Sequence, residues 1–239
     1  MASIDRYDFP PGRMITSKYR VIEMLGRGYE GEVYKIVEES TGITRAAKVF
    51  YPQRNVKGKA IRLLAQKLHK LRDCPILIQY HNQETITVRR TPVSVMISEF
   101  IEGEPLSDFL DRQRGKYLGA FQAVHLLYAL VDGVADIHAK YEYHGDLHTS
   151  NIIVSRFGLG FSLKLIDFYH WDSPKAENRR EDIIDMVRVF YDALGGQKRY
   201  ARQPDTVKYI CCGLKRSLIL KKFPTAVALR NHLQSMRWD

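Results

Sequence analysis

Asp146 and Asn151 stand five residues apart in Tyr143-His144-Gly145-Asp146-Leu147-His148-Thr149-Ser150-Asn151, ahead of the apolar run Ile152-Ile153-Val154. A carboxylate in such a loop can accept the proton of a hydroxyl, and an amide oxygen five residues on can ligate Mg2+. Leu165-Ile166-Asp167-Phe168 ends a second apolar run on an acid followed by a ring, which suits another cation ligand steadied by a packed aromatic. Upstream, Leu25-Gly26-Arg27-Gly28-Tyr29-Glu30-Gly31-Glu32-Val33 spaces three glycines so that backbone N–H groups can approach phosphates closely. Lys48, in Arg45-Ala46-Ala47-Lys48-Val49-Phe50, follows Gly31 by 17 residues and can reach the same phosphates as a point charge. Singly these features have ordinary uses: glycines in a hairpin, a lysine on a strand edge, an aspartate capping a turn. Their order and spacing together carry the weight.

Such groups need elements to hold them. The pattern predicts three strands over residues 19–25, 33–37 and 44–51, with the turn Ser40-Thr41-Gly42 between the last two. The glycines lie between two strands rather than before a helix, which disfavours a dinucleotide-binding turn. Ile61, Leu64, Ala65, Leu68 and Leu71 recur at helical spacing and predict a helix over 59–72. Strands over 85–88 and 93–97 follow, joined by Arg89-Arg90-Thr91-Pro92. Beyond Gly103, helices are predicted over 106–110, 121–139, 182–194 (stopped by Gly195-Gly196), 206–214 and 225–236. A hairpin of 152–154 with 163–166 turns around Gly158 and Gly160. A strand-rich part with one helix thus precedes a helix-rich part, with the seam near residues 99–103. The expected boundaries are an extension over 1–17, a strand-rich lobe over 18–100 and a helical lobe over 101–239.

The chain has 239 residues, 45% hydrophobic and 27% charged, a composition that argues against disorder. A chain this long removes roughly 70–75% of its unfolded surface from water, so it needs no disulfide or structural metal. Thirty-seven Lys and Arg against 27 Asp and Glu give a net charge of +10, which favours acidic partners. Cys74, Cys211 and Cys212 have neither paired nor metal-binding spacing and point to a reducing compartment. The first eleven residues, with Asp5, Asp8 and Pro10-Pro11, do not read as a secretory signal. The apolar stretch 120–137 contains Gln122, His125, Asp132 and Asp136, too polar for a membrane span. A cytoplasmic protein without membrane attachment is the expectation.

In this order, the glycine loop, the strand lysine, His-x-Asp-x-x-x-x-Asn and Asp-Phe resemble the signature set of the protein-kinase-like superfamily over roughly residues 18–233. Within it the chain resembles a small, bacterial-type Ser/Thr protein kinase. The resemblance implies an α+β, bilobal protein-kinase-like fold with a strand-rich N-lobe and a helical C-lobe. It implies transfer of the γ-phosphate of ATP, with Mg2+ or Mn2+, to a protein hydroxyl. Gly26, Gly28 and Gly31 would cover the phosphates, Leu25, Val33 and Ala46 would line the adenine slot, and Lys48 would hold the α- and β-phosphates. In Ser98-Glu99-Phe100-Ile101 the backbone of Glu99 and Ile101 would bond adenine behind a small Ser98. Asp146 would orient the acceptor hydroxyl, Asn151 and Asp167 would hold the metal, and Asp182 would brace the catalytic loop.

Four departures stand beside this. Residues 40–72 contain no acid; aligned on Leu71-Arg72, Leu64 falls where the family carries the glutamate that pairs with its strand lysine, and Gln66 is the nearest polar residue. Gly145 replaces the arginine that receives an activation-loop phosphate, so no switching by loop phosphorylation is expected. His148 replaces a lysine, and His-Gly-Asp-Leu-His is similar to the aminoglycoside and choline phosphotransferases. Only 15 steps separate Asp167 from Asp182, Tyr169 stands in place of the glycine of Asp-Phe-Gly, and no Ala-Pro-Glu occurs. The activation segment is therefore shortened. Three classes of function stay open: a Ser/Thr protein kinase, a small-molecule phosphotransferase, and a nucleotide-binding pseudokinase scaffold. Basic runs over 41–72 and 197–222 suit an acidic protein or a nucleic acid, though no interleaved aromatics of the kind that stack bases accompany them.

Overall fold

The computed structural model describes residues 4–158, 160–168 and 176–237. Tyr169 and most of the shortened segment lie outside the described residues. The chain divides into two compact units, one of Met1–Asp73 with Ile78–Ile101, the other of Cys74–Leu77 with Glu102–Asp239.

The first unit is built on five antiparallel strands: β1 (Tyr19–Arg27), β2 (Gly31–Glu38), β3 (Thr44–Phe50), β4 (Tyr80–Val88) and β5 (Thr91–Glu99). Their order in the sheet is β1-β2-β3-β5-β4. One helix, α1 (Lys59–Lys70), buries Ala60, Ile61, Leu64 and Leu68 and turns Lys59, Arg62 and Lys70 outward, as its apolar spacing requires. Asn55 leads into it by accepting a hydrogen bond from the Ile61 N–H at 3.2 Å. β4 begins five residues before the predicted strand, because Tyr80-His81-Asn82-Gln83-Glu84 alternates in burial without alternating in hydrophobicity. It is a sheet-edge strand, where polar side chains are tolerated and discourage unwanted pairing.

Ahead of β1, residues 4–15 form a strap on this sheet. Ile4, Tyr7, Phe9 and Ile15 join Tyr34, Ile36, Val49 and Tyr51 in one core cluster. The Phe9 and Tyr34 rings stack at 5.3 Å, and those of Tyr7 and Tyr51 at 5.5 Å. Hydrogen bonds from Gly12 N to Val21 O, Val21 N to Arg13 O and Ile15 N to Tyr19 O cover part of the free edge of β1. The fully buried Glu32 accepts from the backbone N–H of Tyr7 at 3.0 Å and of Asp8 at 3.1 Å, from the Tyr34 and Tyr51 hydroxyls, and from Arg27 Nε at 3.0 Å. A buried carboxylate is tolerable only when its lone pairs are met in this way.

The second unit is mainly helical: α2 (Leu106–Arg112), α3 (Ala120–Ala139), α4 (Ala176–Ala193), α5 (Gln197–Tyr200), α6 (Asp205–Cys211), α7 (Arg216–Lys222) and α8 (Ala226–Ser235). A small sheet of β6 (Glu104–Pro105), β7 (Ile152–Phe157) and β8 (Gly160–Leu165) runs in that order. By length and composition α3 could cross a membrane, but its apolar residues, among them Leu126, Leu130, Val134 and Ile137, are buried in the unit's core, packed on α4, α8 and β8. α4 stops where predicted, with Gly195 and Gly196 at φ 93° and 59°. The single helix predicted over 206–214 is shorter, since Cys212, Gly213 and Leu214 all take positive φ, and the chain then re-forms a helix as α7. The antiparallel sheet with one helix and the helical second unit match the expected α+β class of a protein-kinase-like fold.

Candidate active site

In the first unit, the glycine loop joins β1 to β2. Gly28 N donates to Gly31 O at 2.9 Å and closes the turn. Gly31 passes so close to β3 that a Cβ there would lie 2.1 Å from the Val49 carbonyl oxygen, so no other residue fits. Val33 and Lys48 are register partners across β2 and β3, and Lys48 and Met96 are partners across β3 and β5. Ala46, two residues before Lys48 on the same face of β3, pairs with Lys35 and Ser98. Leu25 and Gly26 lie near the end of β1, Gly26 opposite Val33 and Leu25 exposed. Glu99 closes β5 with its N–H donated to Gln79 O and its carboxylate accepting from Gln79 N, both at 2.9 Å. Ser98 Oγ donates to the Glu99 carbonyl at 3.3 Å. Ile101 follows two residues later, the last of this unit.

The Lys48 ammonium donates to Glu30 Oε2 at 2.7 Å, with the two side chains only 13% and 16% exposed. Glu30 belongs to the glycine loop and no sequence reading singled it out. A signal was available: with no acid over 40–72, the acids nearest in sequence that can reach Lys48 are those of the loop paired against its strand.

In the second unit, the loop between α3 and β7 is held from three sides. The fully buried Asp182 of α4 accepts from His144 N and Gly145 N at 2.8 Å each, and pairs with His138 Nε2 at 2.9 Å. Asp182 therefore braces the loop, as the resemblance implies; His138 is an addition the sequence did not reveal. Gly145 sits at φ 86°, a conformation L side chains avoid, which accounts for glycine rather than a larger residue. His144 accepts at Nδ1 from Asp146 N at 3.3 Å, so its Nε2–H donates to Ile166 O at 3.1 Å; this is the neutral ring. The same ring packs on Phe168 at 4.5 Å between centroids.

Asn151 gives both amide hydrogens to Asp146, at 2.9 Å to its carbonyl and 3.0 Å to Oδ2. Its side-chain oxygen is then the atom left to act as a ligand. The Asn151 carbonyl accepts from Ile166 N at 3.0 Å, which ties the loop to the residue preceding Asp167. Asp167 itself takes φ 55°, a strained position of the kind that collects at functional sites. His148 Nε2 lies 3.7 Å from Asp146 Oδ2, at a half-exposed pair. Asp146 and Asn151 are hydrogen-bonded to each other and Asn151 to Ile166, the neighbour of Asp167, all within one unit, whereas Leu25, Gly26, Gly28, Gly31, Val33, Ala46, Lys48, Glu99 and Ile101 all lie in the other.

Several known protein kinases are similar to this chain in sequence. Death-associated protein kinase 2 of Homo sapiens is 32% identical over 206 residues, which is 84% of this chain and 51% of that protein. Serine/threonine-protein kinase pkn2 of Myxococcus xanthus is 27% identical over 163 residues, 66% of this chain and 19% of its own length. Serine/threonine-protein kinase PkaA of Streptomyces coelicolor is 28% identical over 168 residues, 65% of this chain and 30% of its own. The chain spans about half or less of the length of these relatives. The sequence model of the protein kinase domain matches residues 19–187, a stretch that runs from β1 through the glycine loop, Lys48, the Asp146–Asn151 loop and Asp167 to the brace at Asp182, and the chain therefore belongs to the protein kinase domain family.

Proposed function

We propose that the chain is a Ser/Thr protein kinase that transfers the γ-phosphate of ATP to a protein hydroxyl with Mg2+ bound. Members of this family use ATP and a divalent metal in general. The observation that carries the reading for this chain is the braced loop, in which Asp182 fixes the backbone at His144 and Gly145 while Asn151 fixes Asp146. Asp146 accepts the proton of the attacking hydroxyl and orients its oxygen; it does so from a loop whose geometry is set before substrate arrives. The donor set fits a hard cation. Asn151 presents an amide oxygen because its nitrogen is spent on Asp146, and Asp167 adds a carboxylate. Oxygen ligands of this kind suit Mg2+ or Mn2+, which when bound would neutralise phosphate charge. Lys48 holds the α- and β-phosphates, Gly26, Gly28 and Gly31 let the loop backbone come close to them, and Leu25, Val33 and Ala46 contact the base. The Glu99 carbonyl and the Ile101 backbone supply its hydrogen bonds.

A protein acceptor is favoured over a small molecule by the relatives above, each named as a protein kinase. The chain's +10 charge suits an acidic one. A cytoplasmic location goes with three buried, unbridged cysteines, of which Cys211 has its thiol pKa pushed up to about 12 by burial and by Cys212 beside it.

The test is transfer of label from γ-labelled ATP with Mg2+ to the chain itself and to an acidic protein mixture, for wild type, Asp146→Ala and Asp146→Asn. Label is expected with wild type and a loss of at least about a hundredfold in both variants, with nucleotide binding retained. Equal labelling by the variants removes Asp146 from the reaction. Label that appears only with an added hydroxylated metabolite overturns the protein-acceptor reading.

A further inference from the structure

Lys48 carries a contact that the sequence motifs do not predict. Glu30 reaches it from the tip of the glycine loop, and the tip is firmly held. The Glu30 carbonyl accepts from Tyr51 N at 2.8 Å, just past the end of β3. Gly31 is pressed against the Val49 carbonyl, and the Arg54 guanidinium lies 3.7 Å above the Tyr29 ring while also donating to its hydroxyl. The carboxylate is thereby brought into the donor shell of the ammonium at 2.7 Å.

α1 (Lys59–Lys70) contains no acid, so no carboxylate reaches Lys48 from that helix. The carboxylate comes instead from the loop that, on the reading above, lies over the nucleotide phosphates. A carboxylate oxygen and a phosphate oxygen are the same kind of acceptor for an ammonium, and they repel each other when close. We propose that Glu30 occupies the phosphate-binding position of Lys48 in the nucleotide-free protein and is displaced by the arriving phosphates, so that this one residue sets how tightly phosphorylated nucleotides bind. The proposal rests on the reading of Lys48 as a phosphate ligand. It gives Glu30 a selective role, since the competition is felt only by ligands that carry phosphates, and leaves the base-contacting residues untouched.

The experiment is calorimetric titration of the full chain with ATP, ADP and adenosine in Mg2+, for wild type, Glu30→Gln, Lys48→Met and the double variant. Glu30→Gln is expected to bind ATP about tenfold more tightly, the gain from removing one charged competitor. Adenosine affinity should stay within about twofold, and the gain should vanish in the Lys48→Met background, as a direct coupling between the two side chains requires. Glu30→Asp, which shortens the reach by one methylene, should fall between and serves if the glutamine variant folds poorly. Weaker or unchanged ATP binding by Glu30→Gln overturns the proposal, and weaker binding with a lower kcat would make Glu30 a positioning residue instead. An equal gain for adenosine also overturns it. If neither wild type nor Glu30→Gln binds ATP, the functional reading itself fails and takes this inference with it; if wild type binds and only the gain is missing, the functional reading stands.

Discussion

Glu32 and Asp185 are both carboxylates drawn out of water, and their surroundings push them in opposite directions. Burial raises the Glu32 pKa, but hydrogen bonds from Tyr34, the Tyr7 N–H and Arg27 outweigh it and hold the group below the ordinary carboxylate range. Asp185 of α4 has burial as the dominant influence, opposed by Arg188 and reinforced by the negative charges of Asp182, Glu181 and Asp146, and is raised to about 6. Between the ordinary aspartate range and about 6 the folded chain keeps a proton there that the unfolded chain has released. Stability contributed by this group is therefore present at low pH and lost as pH rises through that window. Asp185→Asn should melt higher than wild type at pH 7.5, with the difference shrinking below pH 5; thermal melts across that range check it, and a variant that is less stable at pH 7.5 refutes it. At this scale the sequence was most legible where a motif is local. Asp146 is hydrogen-bonded to Asn151, and Asn151 to the residue before Asp167, because a short loop and one strand pair set their positions. The acids that act through space, Glu30 on Lys48 and Glu32 on the strap, lie one residue either side of Gly31 and carry no periodic signature.

The elements were read best where hydrophobic period and breakers agreed, as in α1, α3 and the end of α4. They were read worst where the backbone departs from what its residues prefer. Arg89 and Arg90 were expected within a four-residue connection; instead they are the whole of a two-residue turn, at φ 48° and 64°, and Thr91 and Pro92 already belong to β5. Two positive φ values fit the right-handed twist of a hairpin, but asparagine and glycine adopt them far more readily than arginine. Arg90→Gly should accordingly stabilise the protein by about 1 kcal/mol, as relief of one left-handed residue, measured by denaturant midpoint at unchanged slope. A loss of stability would mean that the arginine side chain compensates for its backbone. The same principle accounts for the break between α6 and α7: a continuous helical pattern is interrupted at Cys212 and Gly213 by left-handed residues that composition alone does not require.

At the scale of the molecule, the strap over residues 4–15 falls within the extension that the sequence predicts, because it has no period and two prolines. It nevertheless supplies Ile4, Tyr7 and Phe9 to the core and two donors to Glu32. Deleting residues 1–11 should lower the melting temperature by roughly 10 °C or more, since three large apolar side chains contribute about 1.5–3 kcal/mol each and a chain this long loses about 2–4 °C per kcal/mol. A shift within about 2 °C would show that the strap adds nothing to the first unit. The α+β class was legible because sheet and helix patterns are segregated along the chain. The route of the chain was not, since no composition shift marks the four residues from Cys74 to Leu77 that interrupt the first unit.

Those four residues have a practical meaning for anyone who would take the protein apart. Ile76 and Leu77 are buried, Ile76 O accepts from Leu165 N at 2.7 Å, and Leu77 forms a parallel bridge with Leu165. The polypeptide is stitched: it leaves the first unit at Asp73, takes one stitch through the second, and returns at Ile78. A single cut near Ile101 therefore yields no pair of self-sufficient fragments. The N-terminal piece would carry away an apolar tetrapeptide with nowhere to bury it, and the C-terminal piece would be left with a bare strand edge at Leu165, the kind of surface on which chains aggregate.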